Sequence, residues 1–178
     1  MKGDTKIKDK LDEGLPSGDL VLSILQREFD IERERKSALE TRTGILLTLT
    51  FAILTISISN IKIPKILNIE DSKIMMLYFI YVLLLFILFV FSVSSIFFFI
   101  KVLLLDKYKR MDVSTFNERL ALHEKKATLP ILIDKYREYI IFNQKTNDRK
   151  YESYKKGTIS IIITFSLSVI LYTISAFI

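Results

Sequence analysis

The chain has 178 residues, half of them hydrophobic, a formal net charge of +6, no Cys and a single His. That composition argues against structural zinc, iron–sulfur, haem and thiol chemistry, so no cofactor or metal is expected. The apolar residues gather in uncharged blocks that no soluble fold requires.

Residues Met1 to Lys10 are polar and basic, with no hydrophobic period. From Ser17 the pattern changes. Ser17 or Asp19 can cap a helix, and Val21, Leu22, Leu25 and Phe29 recur at spacings of three and four. The same helix becomes densely charged from Arg27 to Arg42, with Glu32 attracting Lys36 and repelling Glu28, and meets neither Pro nor Gly before Gly44. Residues 1–43 therefore read as a charged N-terminal segment whose helix continues into a first membrane span, 44–61. A removable signal peptide is not expected, because the first apolar run follows 43 residues rich in charge rather than a short basic leader.

Asn60, Pro64 and Asn68 end that span, 62–73 is a short connection, and Glu70, Asp71 and Ser72 start the next helix. Ile74 to Ile100 then supplies 27 residues without a charge. At about 1.5 Å per residue this run more than crosses a hydrocarbon core of roughly 30 Å, and a helix satisfies its own backbone there. Lys101 can snorkel its ammonium toward headgroups, so the second helix is expected to cover 74–105. In 106–157, Thr115 and Glu118 match a capping box with Phe116, Leu120 and His123 on one face. Thr128 precedes Leu129 and Pro130, a helix start with proline in the first turn. That helix passes Tyr136, Tyr139, Tyr151 and Tyr154 to Gly157, and 158–178 is a third span. The fold class expected is an all-α membrane protein with three transmembrane helices and long cytoplasmic helical extensions, assembled as a homo-oligomeric bundle.

Charge orients it. Nine Lys or Arg lie in 1–43, three in 62–73 and thirteen in 107–156. The positive-inside rule places the first and third groups in the cytoplasm and the connection and C-terminus outside, which in a bacterium means the inner membrane.

Two sets of residues stand out. In the first span Gly44, Thr48, Ala52, Thr55 and Ser59 fall within about 80° of arc, and in the third Gly157, Ser160, Thr164, Ser168 and Ser175 do the same. Such faces line a water path in an oligomer or pack helices closely, with each hydroxyl bonding its own helix. The second span, with only Ser92 and Ser95 aligned, reads as the wall that faces lipid. No Asp, Glu, Lys or Arg lies deep in any span, which removes the usual basis of coupled transport.

The other set is basic and aromatic: Lys125, Lys126, Arg137, Tyr139, Lys145, Arg149, Lys150 and Tyr151. Cations neutralise phosphate and rings stack on bases, so these residues suit a nucleotide ligand, and equally anionic lipid at a membrane surface. The five glycines form no phosphate-cradling loop. His123 sits beside Glu124 and no general base adjoins a Ser or Thr, so catalysis is not expected.

The segment Glu32-Arg33-Glu34-Arg35-Lys36-Ser37-Ala38-Leu39-Glu40-Thr41-Arg42-Thr43-Gly44-Ile45-Leu46-Leu47 resembles the lead-in helix of small bacterial membrane effectors found with nucleotide-signalling antiphage systems. These are the SLATT proteins and the membrane effectors of Pycsar and related CBASS-type defences. A third span departs from their simplest two-span plan. The resemblance implies an oligomer, silent until a cyclic or oligonucleotide made by a partner enzyme binds its cytoplasmic part, which then permeabilises the membrane. Membrane lipids and other copies are the remaining partners, and no duplex nucleic acid is expected. The alternative is a non-enzymatic anchor that docks a soluble partner through Val21, Leu25 and Phe29.

Overall fold

The computed structural model describes residues 17–60, 72–104, 108–111 and 125–176. They form three α-helices, α1 (Gly18–Ser59), α2 (Ser72–Leu104) and α3 (Lys125–Ser175), and no strand occurs among the described residues. Each helix is long and apolar enough to cross a membrane. The connection 62–71 and the capping box at Thr115 and Glu118, with Phe116, Leu120 and His123, lie outside the described residues.

Ser17 is the cap of α1: its carbonyl accepts the first helical bond, from the Val21 N–H at 3.0 Å. The helix then runs 42 residues without interruption. Its charged stretch is made largely of Glu, Arg, Lys, Ala and Leu, all good helix formers. At the other end the Ile56 carbonyl accepts both the Asn60 backbone N–H at 3.2 Å and the Asn60 side-chain amide at 2.8 Å. Helix α2 reaches Leu104 past an exposed Lys101, as its sequence predicts.

Helix α3 differs from expectation at its start. It begins at Lys125 rather than near Thr128, so Pro130 sits inside the helix and removes one backbone bond there. Gly157 does not interrupt it.

The chain divides into two compact units, Met1–Ser37 with Asp106–Asp148, and Ala38–Leu105 with Arg149–Ile178. The division falls before the sequence-based boundaries at 43/44 and 157/158. The reason is that polar residues beyond those points already belong to the three-helix packing. Lys150 is buried there and donates to Glu40 at 2.7 Å, and Tyr154 packs on Phe99.

The apolar unit has two core clusters. Ile53, Phe99 and Ile161 draw one residue from each helix, backed by Leu46, Leu47 and Tyr154. Tyr81, Leu88 and Leu171 join α2 to α3, backed by Leu84, Leu85, Leu167 and Ile174. Large apolar side chains such as Phe79, Phe86, Phe97 and Phe165 are more than half exposed. Such a surface is stable against hydrocarbon and costly against water.

Candidate functional site

The two hydroxyl stripes end in opposite places. On α3, Ser160, Thr164 and Ser175 are buried, and Ser168 is half-buried with its hydroxyl 3.0 Å from that of Ser57 on α1. On α1, Thr48, Ala52, Thr55 and Ser59 are exposed, and Gly44 has nothing within 4 Å of where a Cβ would stand. At about 100° per residue, the buried side of α1 (Leu39, Thr43, Leu46, Thr50, Ile53 and Ser57) lies opposite that stripe. Thr43 and Thr50 are completely inaccessible. The sequence held a signal for them that was missed, the seven-residue spacing of Thr43, Thr50 and Ser57.

Most of these hydroxyls are satisfied within their own helix. Thr48, Thr50, Thr55, Ser59 and Thr164 each donate to the carbonyl four residues back at 2.8–3.1 Å. Either lipid or protein can therefore cover the outer face of α1 without stranding a donor. A small recess bounded by Ser57, Asn60, Tyr81, Ser168, Tyr172 and Ser175 has a volume of only about 30 Å³, room for a water molecule rather than a path.

The second span is not only a lipid-facing wall. Ser92, Ser95, Phe99 and Val102 form a fully buried stripe on α2. The Ser95 hydroxyl donates to the Gly157 carbonyl at 3.1 Å. A Cβ on Gly157 would stand 2.6 Å from Cε1 of Phe99, so α2 and α3 approach this closely only because position 157 has no side chain. Sequence reasoning placed packing on the polar helices alone, because periodicity cannot separate a buried face from an exposed one when both are Phe, Leu and Ile.

The charged unit is ordered by polar residues. Asn143, fully buried on α3, clamps the 108–111 segment with a pair of bonds: it accepts from the Lys109 N–H and donates to the Lys109 carbonyl, both at 3.1 Å. The Lys109 ammonium donates to Glu138 and lies over the rings of Tyr139 and Phe142, at 5.6 and 5.0 Å from their centroids. That hydrogen bond and the ammonium charge hold the Glu138 carboxyl below its ordinary pKa. Glu32, whose attraction to Lys36 the sequence suggests, is buried, and Asn147 donates to both its backbone carbonyl and its carboxylate, at 2.9 and 2.7 Å. Burial, and then the Glu32 charge, raise the pKa of the Tyr108 phenol.

Phe29, Arg33 and Lys36 of α1 and Tyr108, Arg110 and Met111 of the clamped segment line an open recess of about 500 Å³. None of these six was among the predicted ligand residues. Those residues do not converge. The side chains of Lys125 and Lys126 lie outside the described part. Arg137, Lys145, Arg149 and Tyr151 are exposed, Tyr139 carries Lys109, and Lys150 is buried against Glu40. From Arg137 to Tyr151 is about 21 Å along one helix, and their directions are spread around its axis. In comparison with known proteins, no family model, curated protein or solved structure matches the chain.

Proposed function

We propose that this chain is an oligomeric effector of the bacterial inner membrane, in which the charged helical part is cytoplasmic, receives a nucleotide-type signal during antiphage defence, and makes the apolar part permeabilise the membrane. The observation that carries this reading is the outward hydroxyl face of α1. The small recess among the described residues of a single copy is no water path, whereas several copies bringing Thr48, Thr55 and Ser59 together would surround a channel with hydroxyls. The distribution of Lys and Arg supports the orientation, and the uninterrupted course of α1 from charged to apolar residues gives the signal a route. A ligand drives opening only to the extent that it binds the open state more tightly. The test is to express the chain with and without its neighbouring genes and record membrane potential through phage infection. Depolarisation dependent on infection is expected, and a steady potential under every inducing condition removes the reading.

A second reading has its own observation. Leu20, Val21, Ile24 and Ile31 on the charged part of α1 are between 41 and 63% exposed. An anchor that docks a soluble partner would use such a stripe. It predicts that solubilised protein retains a stoichiometric partner, and that Val21→Glu with Ile24→Glu releases it.

A further inference from the structure

We propose that the recess on the charged unit is a binding site for a nucleoside phosphate. This rests on the reading above for its biological purpose, and on the local geometry alone for its chemistry. Phe29, Arg33 and Lys36 follow one another at helical spacing and so share a face of α1. Opposite them, Lys109 turns to α3 and is held there by Asn143 and Glu138, while its neighbours Tyr108 and Arg110 line the recess. Among the described residues, three cations and two aromatic rings thus surround one space, and no carboxylate lines it. Two acids of α1 close to it among those residues are engaged otherwise. Glu32 is bonded to Asn147, and Asp30 stands 3.9 Å from Arg33 in an exposed pair too weak to withhold the guanidinium from a phosphate.

The rings are set in position before any ligand arrives. Phe29 packs edge-on against Tyr136 at 5.8 Å, and the Lys36 ammonium stands 4.9 Å from the centre of Tyr108. About 500 Å³ falls within the usual size of a small-molecule site. Guanidinium groups bind phosphate through paired charge-assisted bonds, and aromatic faces stack on bases. A lipid headgroup offers the same phosphate but no planar ring. The aromatic part of the lining therefore selects the nucleoside compound.

The full chain in phosphatidylcholine nanodiscs is titrated into fluorescent mant-ATP and mant-GTP, and anisotropy is read. Saturable binding of at least one probe is expected, weakened about tenfold or more by Arg110→Glu, as loss of charged hydrogen bonds implies, and weakened by Phe29→Leu. Arg137→Gln, which alters a cation away from the recess, should leave it unchanged. Unlabelled nucleotide should displace the probe at concentrations where pyrophosphate and glycerol 3-phosphate do not. Absent binding of both probes, equal binding by a correctly folded Arg110→Glu, equal loss in Arg137→Gln, or equal displacement by either small phosphate each overturns the site. Size exclusion and circular dichroism establish folding of Arg110→Glu, whose side chain is exposed. Infected cells that depolarise although no probe binds would remove this site and leave the effector reading standing. Binding without depolarisation does the reverse.

Discussion

Helices α1 and α3 carry similar stripes of small and hydroxylated residues, yet packing buries one and leaves the other outside. Ser160 and Thr164 face the core of the apolar unit, while Thr48 and Thr55 are exposed on the far side of α1 from Thr43 and Thr50. The hydroxyls themselves do not choose. Thr48 and Thr164 both donate to the carbonyl one turn back, so neither needs a partner from another helix. What differs is the neighbour. Gly157 at the head of the α3 stripe admits the Phe99 ring, whereas Gly44 at the head of the α1 stripe meets open space.

The comparison is broken most forcefully through charge. Glu40 and Lys150 hold α1 and α3 together beside the buried stripe, with Lys150 only 3% exposed. Glu40→Gln leaves that ammonium without its carboxylate, at a cost of about 3 kcal/mol, the low end for a broken buried pair because Glu40 is partly solvated. Lys150→Met should cost less, since the Glu40 carboxylate it leaves is partly solvated. Denaturant titration in detergent micelles reads both. Next in size, Thr164→Leu overfills the interior by about 1–3 kcal/mol, whereas Thr48→Leu should stay within about 0.5 kcal/mol in the isolated chain. Light scattering makes this test sharper: if Thr48→Leu breaks a multimer into single copies, the outer stripe is a contact between copies, and if multimers persist while conductance stops, it lines the path.

The two glycines offer a smaller and cleaner contrast. Alanine is favoured over glycine in a helix by about 1 kcal/mol, so Gly44→Ala should raise stability by that amount. At position 157 the same gain is opposed by a clash with a buried ring, and net destabilisation of up to about 2 kcal/mol is expected from thermal melts. Equal responses at the two positions would erase the contrast. The smallest effect concerns the hydroxyl pair of Ser57 and Ser168. Interhelical bonds of this kind contribute about 0.6 kcal/mol in a membrane protein, so Ser57→Ala and Ser168→Ala should each lose about that, and the double variant little more.

Much of the fold was legible. Uncharged runs announced three helices of membrane-spanning length, Ser17 was one of two predicted caps, and the lack of Pro or Gly between Arg27 and Thr43 foretold a single α1. The candidate recess was not legible, because half of it comes from Tyr108, Arg110 and Met111, which share no helical period. Their position depends on Asn143, 34 residues away in sequence from Lys109. The burial of Glu32 was not legible for a related reason. A carboxylate on a charged helix ordinarily faces water, and the bond from Asn147, 115 positions further on, offsets its burial together with Arg35 at 3.7 Å.

By itself the sequence determined that the chain is helical and that three helices are long and apolar enough to cross a membrane, because run length and charge act through local backbone geometry and solvation. Only tertiary structure decided which face of each helix turns inward. Local hydroxyl bonds satisfy both faces of α1 equally, so the choice passed to long-range contacts: Phe99 against Gly157, Lys150 on Glu40 and Asn143 around Lys109. Those contacts put the α1 hydroxyls outside and set the cations beside the rings.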